Sequence, residues 1–239
     1  MEERIEAYLR CIGAAHPTGT LHVFNGSAQL RTFRNRGLPE GLWAYATCNE
    51  ALCWGRVAGA PFSAPFIASR VSALETTPQA YAEIVLEPLA PLFRGAYEAV
   101  ALWFGGDMFC QMNLLALLAY LEGRGFGGAA LFCPLPEGME SPVPDAAPEA
   151  IALGPYRGAY VSLLVEGRLP ACPLPPLMAR AAERYLTYRT PAGPIVPYIR
   201  AHLDREDLVE RLLARFPEYG LGDLQYLHMI REIRAAGGD

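Results

Sequence analysis

The stretch EAVALWFGGDMFCQMNLLALLAYLEGRGFGGAALFCPLP, residues 98 to 136, constrains the fold more than any other part of the chain. Val100 to Phe104 form an uninterrupted apolar run, the pattern of a strand buried on both faces. Gly105 and Gly106 interrupt it, Asp107 stands where a helix N-cap belongs, and the residues through Leu121 read as a long amphipathic helix. A second apolar run spans Gly128 to Pro136. A strand, a crossover helix and another strand of these lengths make a right-handed unit, so the two strands run parallel in one sheet.

The rest of the chain extends this unit. Ile5, Leu9 and Ile12 recur at helical spacing and predict an N-terminal helix that ends before Gly13. Leu21 to Phe24 reads as a strand, followed by a tight turn at Asn25-Gly26-Ser27 and a helix ending at Gly37. Gly41 to Cys48 is a second strand candidate. Residues 69 to 93 predict one or two helices, with Thr76 or Thr77 capping a helix that starts at Pro78. Residues 137 to 150 read as an exposed loop and Gly158 to Gly167 (GAYVSLLVEG) as a further strand. Beyond the prolines of residues 169 to 176 everything is helical: 177 to 188, 195 to 203, 205 to 216 and 221 to 233. The expected organisation is an N-terminal helix and linker over 1–19, an α/β domain over 20–168 and a helical subdomain over 169–239. The fold class is α/β, three layers with a mostly parallel sheet and helices on both faces.

Composition excludes several chemistries. The chain has no lysine, so every basic side chain is an arginine. Schiff-base and pyridoxal-phosphate chemistry, biotin or lipoyl attachment, Walker-type phosphate loops and protein-kinase sites all require a lysine. A net charge of −5 disfavours a sequence-independent grip on nucleic acid. No apolar run reaches the ~18 residues that cross a bilayer, and the first residues are not those of a secretion signal, so a cytoplasmic protein is expected. The six cysteines lack zinc-site or disulfide-scaffold spacing and read as reduced thiols, Cys110 and Cys133 within apolar runs. The glycines at 123, 125, 127 and 128 lie between a helix and a strand, the wrong order for a dinucleotide fingerprint.

The blocks LHVFNG, CNEALCWGRV, LWFGGDMFCQMNLLALLAYL, YLTYRTPAGP and RFPEYGLGDLQYL together resemble the bacterial family known as domain of unknown function 1835, the last two blocks its companion C-terminal helical module. The likeness covers roughly residues 20 to 230. It places weight on His22, Gly26, Glu50, Gly55, Trp103, Asp107, Gln111 and Asn113, and on Pro217, Gly220 and Leu221 in the C-terminal module. Ser27 and Gln225 depart from acidic residues common in that family. The resemblance implies a fold type and a bacterial origin, and no activity.

In an open parallel sheet, ligands bind beyond the carboxyl ends of the strands, where helix N-termini present unsatisfied N–H groups. Candidate ligand-binding residues there are Asn25, Gly26, Ser27, Gly106, Gln111 and His22, with Asp107 and Glu50 as candidate acid–base carboxylates. Each has a plainer role: Asp107 as an N-cap, Glu50 facing solvent, His22 as a half-buried strand residue. Asp107 and Gln111, four apart, share a helix face; Gln111 and Asn113 do not. No metal site is expected, because Glu50 and Asp107 alone offer too few oxygens for a hard cation; no cofactor is indicated. The expected function is binding or transforming a small polar or anionic metabolite at the strand ends, with self-association left open. The alternative is a regulator or adaptor in which residues 208 to 234 outline a helix-turn-helix that contacts DNA or a protein partner, with Arg205, Arg211, Arg215, Arg231 and Arg234 to meet phosphates; acidic residues mixed through the same stretch favour a packed αα-hairpin instead.

Overall fold

The computed structural model describes residues 2–16, 19–35, 44–135 and 147–236. Five strands form one sheet: β1 (Thr20–Phe24), β2 (Ala44–Thr47), β3 (Ala99–Gly105), β4 (Ala129–Leu135) and β5 (Glu149–Ile151), in the order β2-β1-β3-β4-β5. The first four are parallel and β5 is antiparallel to β4. The mostly parallel α/β class is therefore the fold of this chain.

β3 lies at the centre, and its pleat divides the core. Val100, Leu102 and Phe104 join one apolar cluster, while Ala99, Ala101 and Trp103 join a second on the opposite face. The second face is covered by α1 (Glu2–Ala15) and α2 (Ser27–Arg34), where Trp103 stacks on Phe24 and meets Phe33 edge-on. Helix α1 continues past Gly13, a residue tolerated in a final turn at a cost of about 1 kcal/mol. Helix α2 stops at Arg34, short of the expected end at Gly37, which lies outside the described residues, as do Gly41 to Trp43 of the second predicted strand.

The first face carries α3 (Ala64–Ala73), α4 (Pro78–Tyr81), α5 (Glu87–Arg94) and the central α6 (Met108–Gly123). Thr77 caps α4 through the Ala80 N–H, and a π-helical turn over Ala82–Leu86 joins α4 to α5. Helix α6 is not the amphipathic helix expected. It is buried almost all round, because further helices pack on its outer side. These are α7 (Tyr156–Tyr160), prolonged by a π-helical turn to Val165, and α8 (Pro176–Thr187).

Residues 158 to 167 thus correct the reading of GAYVSLLVEG as a strand. Tyr156, Ala159, Tyr160, Leu163 and Leu164 are the buried apolar positions, a helical spacing that begins two residues before the glycine taken as the start. Residues 149 to 151 make the second correction, forming an edge strand where a loop was expected; residues 136 to 146 lie outside the described residues.

The C-terminal part consists of α8, α9 (Ile195–Ala201), α10 (Leu208–Arg215), a 3-10 turn at Pro217–Tyr219 and α11 (Asp223–Ala236). Its Met178, Ile199, Leu212, Tyr226 and Met229 belong to the same apolar cluster as Leu102 and Phe104 of the sheet.

Candidate functional site

The order β2-β1-β3 places the topological switch point between β1 and β3, and the turns that follow these strands are neighbours there. The Asn25 N–H reaches the Trp103 carbonyl at 3.3 Å. Gly26, with φ of +105°, adopts a backbone conformation that L side chains avoid, which lets β1 turn directly into α2.

The polar groups gathered here are spent on one another. Asn25 donates from Nδ2 to Cys110 Sγ at 2.9 Å, accepts at Oδ1 from Asn113 Nδ2 at 2.9 Å, and gives its N–H to Gln29 Oε1 at 2.9 Å. Asn113, fully buried on α6, also donates to the Glu50 carbonyl at 2.7 Å and accepts from the Leu52 N–H at 3.1 Å. Helix α2 has no capping side chain of its own at Gly26. Asn49 supplies one, its Oδ1 accepting from the Ser27 N–H at 2.8 Å and the Ser27 hydroxyl at 3.0 Å. Asn49 Nδ2 donates to the Ile84 carbonyl at 2.7 Å. That carbonyl would pair with residue 88 in an α-helix, and Pro88 has no N–H, so Asn49 replaces a donor the sequence removes. Asn25 and Ser27 thus stitch the rim together through these bonds.

Glu50 is not the solvent-facing group its position in a polar insert suggested. It is buried with Arg70 of α3, the two joined at 3.0 Å by Nη2 to Oε2 and at 3.1 to 3.2 Å by Nε to both carboxylate oxygens. Tyr81 donates its hydroxyl to Glu50 Oε1, and the Ala51 N–H donates to Oε2 at 2.9 Å. Burial, reinforced by the neighbouring Glu50, pushes the Tyr81 hydroxyl well above its ordinary pKa. Arg70 donates further to the carbonyls of Trp54, Arg56 and Ala51. A carboxylate so enclosed has no path to a substrate. His22 is likewise fully buried, on the α1 and α2 face, accepting at Nδ1 from Trp103 Nε1 at 3.0 Å. Burial depresses its pKa to about 3 and keeps the ring neutral, and its place on β1 is removed from the rim.

Asp107 remains partly exposed at the β3–α6 turn. Its Oδ1 caps α6 through the Cys110 N–H at 2.8 Å. The Cys110 thiol is raised well above its ordinary pKa by burial and then by the Asp107 carboxylate, so it stays protonated and is a poor nucleophile. Two C-terminal residues press on this turn: Leu177 against Gly106, and Gly220, whose left-handed φ of +63° brings its backbone onto the Asp107 carboxylate.

Gln111, one turn into α6, points differently from Asn113, as their spacing requires. Only 2% exposed, it donates from Nε2 to the Gly105 carbonyl at 2.7 Å and lines a cavity of about 610 Å³. The walls are Leu114 and Leu118 of α6, Phe132 of β4, the edge strand β5, and the proline-rich segment 173 to 176 that leads into α8. The register pairs Glu149 with Phe132 and Ile151 with Ala130, so both β5 side chains lie on the α6 face. Sequence reading found Gln111 but not the opposite wall, because β5 and the prolines carry no sign of meeting α6. Two smaller clefts occur, one beside Trp54, Arg189 and His228 and one lined by the predicted site residue Ser27 with Arg31, Arg34 and Tyr45.

The C-terminal hairpin buries Leu208, Leu212, Tyr226, Met229 and Ile230 in the common core. Of its arginines, Arg205 and Arg211 pair with Asp207, Arg234 donates to the Leu203 carbonyl, Arg231 to the Leu227 carbonyl, and Arg215 lies over the Tyr198 ring; Arg189, before the hairpin, holds Glu232 through two bonds of 2.8 Å. The two hydrogen-bonding guanidinium groups hold the Asp207 carboxyl down at about 2. Among the described residues, no group of three His, Cys, Asp or Glu side chains is placed to hold a metal ion, and no helix is long and apolar enough to cross a membrane.

Fold and cavity together define a mostly parallel α/β protein with a helical C-terminal layer and a small-molecule-sized hollow beside its central helix. No family model matches the chain, and neither a curated protein nor a solved structure matches it.

Proposed function

We propose that this protein binds a small organic molecule in the cavity between α6, β5 and the 173–176 proline segment, with the polar end of the ligand against Gln111. The observation that carries the reading is the cavity itself. Its volume of about 610 Å³ lies within the range that holds metabolite-sized ligands, and its largely apolar walls carry the buried Gln111 amide and the buried Tyr156. Gln111 is tied to the last residue of β3, so the ligand would lie beside the carboxyl end of the central strand, where the sheet topology favours binding.

The strand-end crevice expected from the sequence receives less support as the pocket. Asn25, Ser27 and Glu50 are engaged with protein partners, and Asp107 lies against Gly220. The regulatory reading is also less supported, since Arg205 and Arg211, two of the arginines that would meet phosphates, are paired with Asp207 and the hairpin packs into the common core. The family resemblance adds no activity to either.

A thermal-shift screen of small apolar and amphipathic compounds tests the proposal, run in parallel on the wild type and on Leu174→Trp. Leu174 lines the cavity and is only partly buried, so the larger ring fills the hollow while leaving α6 intact. A ligand at 100 times its Kd should stabilise the wild type by about 2.7 kcal/mol and leave the variant unmoved. Equal shifts in both proteins would place binding elsewhere.

A further inference from the structure

We infer that the cavity selects ligands whose polar end donates a hydrogen bond, as amines and alcohols do, and discriminates against carboxylates and phosphates. The inference rests on the binding reading above and selects the polar rather than the anionic half of the polar or anionic metabolite expected from the sequence.

The orientation of Gln111 carries it. The contact of Nε2 with the Gly105 carbonyl at 2.7 Å fixes which end of the amide is which, since the flipped form would set two oxygens against each other. Its Oε1 therefore remains as an acceptor, and among the described residues no donor reaches it. A ligand that enters can satisfy this oxygen by donating to it; an anion would face it oxygen to oxygen. The charge of the lining points the same way. Glu149 is the one charged residue among the described residues that line the cavity, and its register opposite Phe132 sets it on the α6 face of the sheet. No arginine or histidine lines it, and the chain has no lysine. The positive end of α6 is already met by the Asp107 carboxylate. A carboxylate brought into this hollow would lose its hydration without gaining a cation, the side-chain donors among the described lining residues being the neutral Tyr156 hydroxyl and the second Gln111 Nε2 hydrogen, whereas an ammonium or hydroxyl would gain an acceptor, and an ammonium would also gain Glu149.

Three probes with the same apolar body separate the possibilities by calorimetry on the full chain: 3-phenylpropylamine, 3-phenylpropanol and 3-phenylpropanoate. The amine and the alcohol should bind, and the carboxylate should bind at least about tenfold more weakly, a difference of about 1.4 kcal/mol. Gln111→Leu, close in size and apolar, should weaken the amine and the alcohol alike. Glu149→Gln, at an exposed site that leaves the fold undisturbed, should weaken the amine and spare the alcohol. A carboxylate that binds as tightly as the amine, with binding lost in Leu174→Trp, would overturn the inference and keep the cavity as the binding site. Failure of all three probes to bind would remove the cavity reading and the inference with it.

Discussion

Buried polar residues decide more here than exposed ones, and the pair Glu50–Arg70 shows how unequal two partners can be. Arg70 is held by Glu50 and also by the carbonyls of Ala51, Trp54 and Arg56. Arg70→Met leaves Glu50 buried without a cation and should cost about 3 to 5 kcal/mol, because an unpaired charge in the interior has nothing to offset its lost hydration. Glu50→Gln should cost clearly less, since the carbonyls still satisfy the guanidinium; urea unfolding of the two variants measures the ordering, and equal losses would refute it. His22 makes the second case. Its folded pKa of about 3 lies below the ordinary value of 6.5, so between those limits the unfolded chain binds a proton that the folded chain refuses. The His22 contribution to stability should be level above pH 6.5 and fall as the pH drops below it, by at most about 1.4 kcal/mol per unit. His22→Gln removes the titration while keeping an oxygen for Trp103 Nε1. Urea midpoints at pH 7, 6 and 5 should therefore decline less in the variant than in the wild type, and parallel declines would place the proton elsewhere.

At the scale of elements, legibility followed locality. The β3–α6–β4 unit was readable because each piece is long and announces itself: five apolar residues, two glycines, a capping aspartate, then a helical run. Parallel topology put the turns at 25 and 105 on one rim, and the strand order β2-β1-β3 makes them neighbours. What the sequence hid was partnership. GAYVSLLVEG is as apolar and β-branched as a strand, and only the helical spacing that starts at Tyr156 distinguishes it, a signal lost when the window opens at Gly158. β5 is three residues long and gains its strand geometry from β4 rather than from its own composition. Asn49 and Glu50 sat side by side in a polar insert that looked solvated. Nothing local says that Asn49 stands in for the N–H missing at Pro88, or that Glu50 meets an arginine twenty residues on. Candidate site residues chosen by type and location were thus largely drawn into the scaffold, and Gln111, tied to the end of β3, is the one that lines the hollow.

For the molecule as a whole, one apolar cluster runs from the sheet through α6 into α8 to α11, so residues 20–168 and 169–239 share a core. Two side-chain contacts fasten the same boundary: the Tyr188 hydroxyl on the Cys53 carbonyl, and the Arg189 guanidinium 4.2 Å over the Trp54 ring. Gly220 also lies close against Asp107 there. A Cβ on Gly220 would overlap Asp107 Oδ1 and stand 3.0 Å from the Phe109 Cβ, and its φ of +63° strains any L residue. Gly220→Ala should therefore destabilise the protein by about 1 to 3 kcal/mol through overlap and backbone strain. Asp107→Ala alone should cost about 1 kcal/mol by uncapping α6. In the double variant the methyl group no longer meets the carboxylate, so the combined loss should fall short of the two single losses by about 0.5 kcal/mol or more. The strain at residue 220 and the Phe109 contact persist, which limits the recovery. Urea unfolding of all four proteins reads this coupling, and the shared core requires a single transition in each. Strict additivity would mean that the C-terminal layer does not bear on the β3–α6 turn, and two separate transitions would mean that it folds as a unit of its own.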